Sequence, residues 1–259
     1  MGYEGLIAET ITMTGHGGDP IEAYLSRPIG LSNVPGVVVI HHMPGWDEWS
    51  KEVTRKLAHH GYAAVSPHLF SRLGPGPWDD IAAAARAAGG MPDVQVVGDV
   101  AAAAKLLRNQ PYANGKIGVI GFCSGGRQAY MVACKVEGID AAVDCWGGRV
   151  IARPEELTPR QPQAVIDMTP DLKCPLLGIF GNDDASPDPD QVNRTEAVLR
   201  AQGKDYAFHR YDGAGHGFFA ADRPNYRPEQ AVDGWKKVFA FFERTLQTAA
   251  REPAMSSRA

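Results

Sequence analysis

The stretch Ile117-Gly118-Val119-Ile120-Gly121-Phe122-Cys123-Ser124-Gly125-Gly126 decides the fold. An apolar run of strand length passes directly into Gly-x-Cys-x-Gly-Gly, and a helical pattern follows from Gly126 to Val136. A strand that turns at once into a helix presents the residue at the turn on a strained backbone, as in a nucleophile elbow. Here that residue is Cys123. Gly121 and Gly125 leave room for backbones that a Cβ would push apart. The helix start brings free N–H groups and the positive dipole end to the sulfur, which favours thiolate over thiol. An isolated Gly-x-Cys-x-Gly fits equally well a small buried cysteine in a glycine turn. The strand before it and the helix after it favour the elbow.

Outward from the elbow, short β-rich runs alternate with helical patterns, which predicts a mostly parallel sheet of about eight strands with helices on both faces. The opening differs. Glu9–Met13 and Ile21–Arg27 flank the turn-rich Thr14–Asp19, which predicts an antiparallel hairpin. Strands are expected at Gly36–His41, Tyr62–Pro67, Lys116–Phe122, Ala141–Trp146, Pro175–Phe180 and Tyr206–Tyr211. Helices are expected at Glu48–His60, Asp80–Ala88, Val94–Asn109, Asp190–Gln202 and Pro228–Gln247. In the third of these, Val97, Val100, Ala101, Ala104 and Leu107 share a helical face. The stretch from Trp146 to Lys173 reads as irregular. Without internal repeats or a composition shift, residues 1–259 read as one α/β domain, with flexible ends at about 1–8 and 251–259.

Composition narrows the functional classes. With 44% hydrophobic and 22% charged residues in 259, the chain has the content of an ordinary globular protein with a sizeable core. The net charge of −4 and the lack of a basic cluster point away from nucleic acid and anionic membranes. The N-terminus carries no secretory pattern and no run is long enough to span a bilayer, so a cytoplasmic location is expected. Cys123, Cys134, Cys145 and Cys174 form no CxxC pair, in keeping with reduced thiols. The last three read as core residues.

An elbow nucleophile needs a base and an acid, which follow it along the chain in the order acid, then histidine. Only His209 and His216 lie downstream of Cys123. His209 falls inside a strand pattern, whereas His216 lies in the loop Gly213-Ala214-Gly215-His216-Gly217-Phe218-Phe219 just after it. The preceding strand leads into Gly181-Asn182-Asp183-Asp184-Ala185-Ser186, with two adjacent carboxylates. One would fix the His216 tautomer and the other would cap its own turn; spacing does not choose between them.

Gly-Phe-Cys-Ser-Gly-Gly, the Asp-Asp-Ala-Ser loop and Tyr-Asp-Gly-Ala-Gly-His-Gly-Phe-Phe together resemble the dienelactone hydrolase family, over roughly Glu9 to Phe242. The resemblance implies an α/β-hydrolase fold and cleavage of a lactone or ester of a small carboxylic acid through an acyl-thioester. Cys123 would be the nucleophile, His216 the base and Asp184 the acid. It also implies an oxyanion hole made of the Met43 and Ser124 backbone N–H groups. Where well-known members end the third strand with a glutamate that takes part in activating the thiol when substrate binds, this chain has His42, in Ile40-His41-His42-Met43-Pro44-Gly45. Neighbouring His41 points to the other side of the strand, so the two cannot easily chelate one metal. No metal and no cofactor are expected.

The family's archetypal substrate bears a carboxylate gripped by arginines. Arg72, Arg86, Arg127 and Arg223 are the candidates, with Arg223 in an expected lid, Ala220–Pro224. His42, Trp46, Trp146, Phe218 and Phe219 flank the motif loops and could line the pocket or belong to the core. The expected partner is a small lactone or ester, bound by a monomer or homodimer. Three other readings share the fold: a general short-chain carboxylesterase, a non-catalytic receptor for a small molecule, and a redox sensor built on Cys123. The last is weakened by the lack of an obvious resolving cysteine.

Overall fold

The computed structural model describes residues 5–43 and 45–247. Its strands are β1 (Leu6–Thr14), β2 (Pro20–Pro28), β3 (Val34–Ile40), β4 (Ala63–Pro67), β5 (Ala113–Phe122), β6 (Ala141–Cys145), β7 (Leu176–Gly181) and β8 (Tyr206–Tyr211). The helices are α1 (Glu48–His59), α2 (Trp78–Ala87), α3 (Asp93–Arg108), α4 (Ser124–Lys135), α5 (Pro189–Ala201) and α6 (Pro228–Leu246). The strands form one sheet in the order β1-β2-β4-β3-β5-β6-β7-β8. β1 and β2 pair antiparallel, β2 meets β4 antiparallel, and every later neighbour is parallel.

The flexible end expected at about 1–8 does not hold for residues 6–8, and residues 1–4 fall outside the described residues. Leu6, Ile7 and Ala8 pair with Pro28, Arg27 and Ser26, so the ladder of β1 already satisfies their backbone. The expectation for residues 251–259 falls outside the described residues.

β3 and residues 117–122 of β5 are buried on both sides, as central parallel strands are. Val38, Ile40 and Val119 pack on one face of the sheet with Val100, Leu107 and Tyr130. Val37, Val39 and Ile120 pack on the other with Trp49, Leu57 and Phe242. Alternate residues thus serve opposite cores, as the two-residue period of a strand requires. On α3 the buried stripe is Val96, Val100, Ala103, Ala104 and Leu107. Val97 and Ala101 are only half-buried, so the face is rotated from the expected one. The buried Asp99, which holds Arg72, lies within that stripe.

The segment after β6 folds into short 3₁₀ turns, Pro154–Glu156 and Val165–Asp171. It is stitched to the end of α2: Thr158 Oγ1 donates to Gly89 O at 3.1 Å and Arg160 Nη1 to Gly90 O at 3.3 Å. These bonds build a wall facing the ends of the parallel strands, where ligands bind in open α/β sheets.

Candidate active site

Cys123 caps the N-terminus of α4 with φ 56° and ψ −119°, a conformation a non-glycine residue holds only where its surroundings enforce it. The enforcement is visible in the two glycines. A Cβ on Gly121 would lie 1.8 Å from Gly125 O, and one on Gly125 would lie 2.3 Å from Ile40 O. Cys123 N also donates to Cys145 O at 3.0 Å, tying the turn to β6. The backbone is fixed on both sides, so the sulfur has one place to go.

That place is polar. The sulfur meets the His216 imidazole and the backbone N–H groups of Ser124 and Met43. Burial works to raise the thiol's pKa, but the His216 bond and charge and the two amides outweigh it and bring it below the ordinary thiol value. The other cysteines go the opposite way. Burial pushes Cys134 and Cys174 up to about 12, and Cys145 well above the ordinary range.

Asp184, not Asp183, meets the histidine: Asp184 Oδ2 is 2.8 Å from His216 Nδ1. Its other oxygen accepts Ser186 N at 2.8 Å, while the Asp183 side chain is exposed and its N–H donates to Ala214 O at 3.0 Å. The Asp183–Ala214 bond holds the acid loop against the histidine loop. Burial would lower the His216 pKa, but hydrogen bonds to Asp184 and Cys123 raise it to about 10. A lowered thiol beside a raised imidazole is an arrangement that favours a thiolate–imidazolium pair over the neutral pair.

A cavity of about 780 Å³ opens in front of this cluster. Met43, Cys123, Ser124, Asp184 and His216 line one end, and Arg86, Gly89, Gly90, Arg149, Thr158 and Gln161 line the far wall. Of the candidate arginines, Arg86 stands exposed on this wall. Arg127 reaches the cavity, but its guanidinium is spent on Asp93 at 2.8 and 3.1 Å. Arg72 is away from it, clamped by Asp99 at 2.9 and 3.0 Å and by Asp19 at 2.7 Å. Arg223 binds Asp47 Oδ2 at 3.1 Å and does not line the cavity.

The aromatic candidates are core residues. Trp46 is buried, donates Nε1–H to Ser66 O at 2.9 Å and stacks on His68. Trp146, Phe218 and Phe219 pack on one another, with the Trp146 and His216 rings 6.4 Å apart. They stand outside the cavity because so much ring area is better buried than wetted. His42 is also buried, its Nε2 2.7 Å from Asp47 Oδ2, so its polar edge serves a neighbouring carboxylate.

Arg149 is the wall residue the sequence did not reveal. It follows Gly147 and Gly148 at φ 61° and donates to the carbonyl of Glu156. Its signal was positional: it comes just after β6, at the sheet edge where the motif loops gather.

The dienelactone hydrolase family model matches residues 21–246. A Methylorubrum extorquens protein named "Putative carboxymethylenebutenolidase" is 33% identical over 248 residues, covering 93% of this chain and 82% of its own. A Salmonella typhimurium protein of the same name is 31% identical, over 92% of this chain and 88% of its own. A Klebsiella pneumoniae crystal structure titled "Putative Dienelactone Hydrolase" superposes with a TM-score of 0.83 at 28% identity, over 93% of this chain and all of that one. The shared architecture is that of the α/β-hydrolases.

Proposed function

Because the chain belongs to the dienelactone hydrolase family and is a hydrolase of lactone or ester bonds, we propose that it works through Cys123 and an acyl-thioester intermediate. The observation that carries this reading is the placement of the sulfur. It lies at a helix N-terminus, against His216 and two backbone amides, with its pKa lowered despite burial.

The Cys123 thiolate attacks the carbonyl carbon, and the carbonyl oxygen takes over the Met43 and Ser124 N–H groups as negative charge gathers on it. One such donor is worth about 3 kcal/mol in mutational tests on other enzymes. As the tetrahedral intermediate collapses, the bond to the leaving oxygen breaks and the His216 imidazolium supplies that oxygen's proton. An enol released in this way tautomerises to the ketone, which makes acylation effectively irreversible. Neutral His216 then takes a proton from water, the resulting hydroxide attacks the thioester, and the acid and the thiolate are regenerated. Asp184 keeps the Nδ1–H tautomer and supports the imidazolium.

His42 cannot play the part of the family's glutamate. In this reading the Asp184–His216 pair keeps the thiol ionised before substrate arrives. The cavity, about 780 Å³, also has room for the ester substrates of a second reading, a general short-chain carboxylesterase.

Hydrolysis of a dienelactone, followed by loss of its ultraviolet absorbance, tests the proposal with wild type beside Cys123→Ala. Loss that vanishes in the variant supports thiol chemistry; turnover that persists in it sinks the mechanism. If the wild type leaves the lactone intact but cleaves simple esters through Cys123, the esterase reading takes its place.

A further inference from the structure

Asp47 joins two loops that contribute separately to the site. Its Oδ1 caps α1, accepting Ser50 N at 3.0 Å and the Ser50 hydroxyl at 2.9 Å. Its Oδ2 accepts His42 Nε2–H at 2.7 Å and Arg223 Nη2–H at 3.1 Å. The carboxylate is mostly buried, with 16% of the side chain exposed. Burial works to raise its pKa, but the bonds from His42 and Ser50 draw it down to about 2, so it is charged at working pH.

Each partner leads to the reacting atoms. His42 immediately precedes Met43, whose amide meets the Cys123 sulfur. The His42 carbonyl is pinned by Gly45 N at 3.0 Å and by His41 Nδ1 at 2.8 Å. His41 is buried, and burial lowers its pKa to about 3, so it is neutral; its Nδ1–H donates to His42 while Nε2 accepts Leu69 N–H at 3.2 Å. On the other side, Arg223 sits in the loop that follows His216. Asn225, two residues on, donates to the His216 carbonyl, and Arg227 Nε closes the same loop on Gly213 O at 3.1 Å.

We infer that Asp47 is a positioning residue for the reaction, holding the Met43 amide and the His216 loop at a fixed separation through His42 and Arg223. The inference rests on the proposed roles of Met43 and His216. It accounts for a charged hydrogen-bonded node that touches neither the cavity nor the sulfur. It also gives His42 a task that does not require it to stand in for the family's carboxylate.

Asp47→Asn is the informative substitution, because asparagine caps a helix about as well as aspartate and α1 should persist. With a p-nitrophenyl ester, kcat should fall at least about tenfold while KM stays within about twofold, since the lost positioning acts only as charge develops on the oxyanion. Affinity for an alkyl trifluoromethyl ketone, which the thiolate converts to a tetrahedral hemithioketal, should fall by the same factor. The pH profile of the iodoacetamide reaction of Cys123 should shift upward, because the Met43 amide and His216 that lower the thiol's pKa are the groups Asp47 holds. Arg223→Gln should act in the same direction, and the double variant should be no worse than the poorer single one. An unchanged kcat in both single variants overturns the inference, as does a kcat loss with an unmoved alkylation profile. Turnover of the same ester by Cys123→Ala would instead overturn the nucleophile assignment, a result distinguishable from either.

Discussion

Asp184 Oδ2 lies 2.8 Å from His216 Nδ1, with the acid side chain 3% exposed and the imidazole 41% exposed. The two ends of this bond live in different media. The carboxylate is fixed by Ser186 N on its other oxygen and cannot follow solvent, whereas the imidazole keeps an edge toward the cavity and the sulfur. Asp184→Asn keeps the shape but can offer an N–H where the Nδ1–H needs an acceptor. The expected fall in kcat on the best substrate approaches about 10⁴, the size of the corresponding change in a serine triad. Asp183→Asn, whose side chain is exposed, should stay within about twofold of wild type. Comparable losses in both variants would mean that the bond does not matter for turnover.

The opposed pKa shifts fix the pH response. Cys123 lies below the ordinary thiol value and His216 is raised to about 10. The competent thiolate–imidazolium pair forms as pH rises through the lowered thiol value and is lost as pH rises past about 10. Alkylation of Cys123 by iodoacetamide should therefore reach its plateau below the usual thiol range, and His216→Ala should move the inflection upward. Stability follows the same signs. The stabilisation from His216 is fully present below its unfolded value and disappears as pH rises through about 10. The depressed Cys123 contributes above its unfolded value and loses that contribution as pH falls through its folded one. An alkylation profile with its midpoint at the ordinary thiol pKa would contradict the pairing.

The elbow is a steric prediction as well. Gly125→Ala would place a Cβ 2.3 Å from Ile40 O, a backbone atom in the middle of the sheet that cannot move aside. The expected cost exceeds about 3 kcal/mol, at the upper end of overpacking penalties. Gly215→Ala is the matched control, since its Cβ would come no nearer than 3.5 Å to Asp183 O. Thermal unfolding should separate the two by many degrees; equal melting temperatures would mean that the elbow has more room than its geometry allows.

How much of this was legible in the sequence depends on what fixed each feature. The elbow was readable because van der Waals contact dictates both glycines and their spacing around Cys123. The strands were readable because burial on both faces leaves an unbroken apolar run, as in Val37 to Ile40. The α3 stripe was displaced because alanines dilute the helical period and Asp99, paired with Arg72, is buried on the core side. Trp46, Trp146 and Phe218 stayed open between pocket and core because they adjoin motif loops, and proximity in sequence does not set which way a ring points. The far wall was illegible for a different reason. Residues 148–161 are held by bonds to Gly89 and Gly90, partners about 70 residues away that no local pattern announces.

Arg72 and Arg149 make the cost of that illegibility measurable. Arg72 is bidentate to Asp99, whose side chain is fully buried, so Arg72→Ala leaves that charge in the core without its ion-pair partner, held only by the His16 N–H at 2.7 Å. Breaking such a pair costs about 3–5 kcal/mol, and KM should not change, because Arg72 does not face the cavity. Arg149 is exposed on the cavity wall and its known bond is to a backbone carbonyl, so Arg149→Ala should leave the melting temperature nearly unchanged. If Arg149 receives an acidic group on the substrate, KM for a carboxylate-bearing lactone or ester should rise about tenfold, while a neutral ester of the same size should be unaffected. Melting curves and the two KM values settle it together. A raised KM in Arg72→Ala would give the acid-binding role to one of the four arginines offered by the sequence, and an unmoved KM in Arg149→Ala would leave it to Arg86 on the same wall.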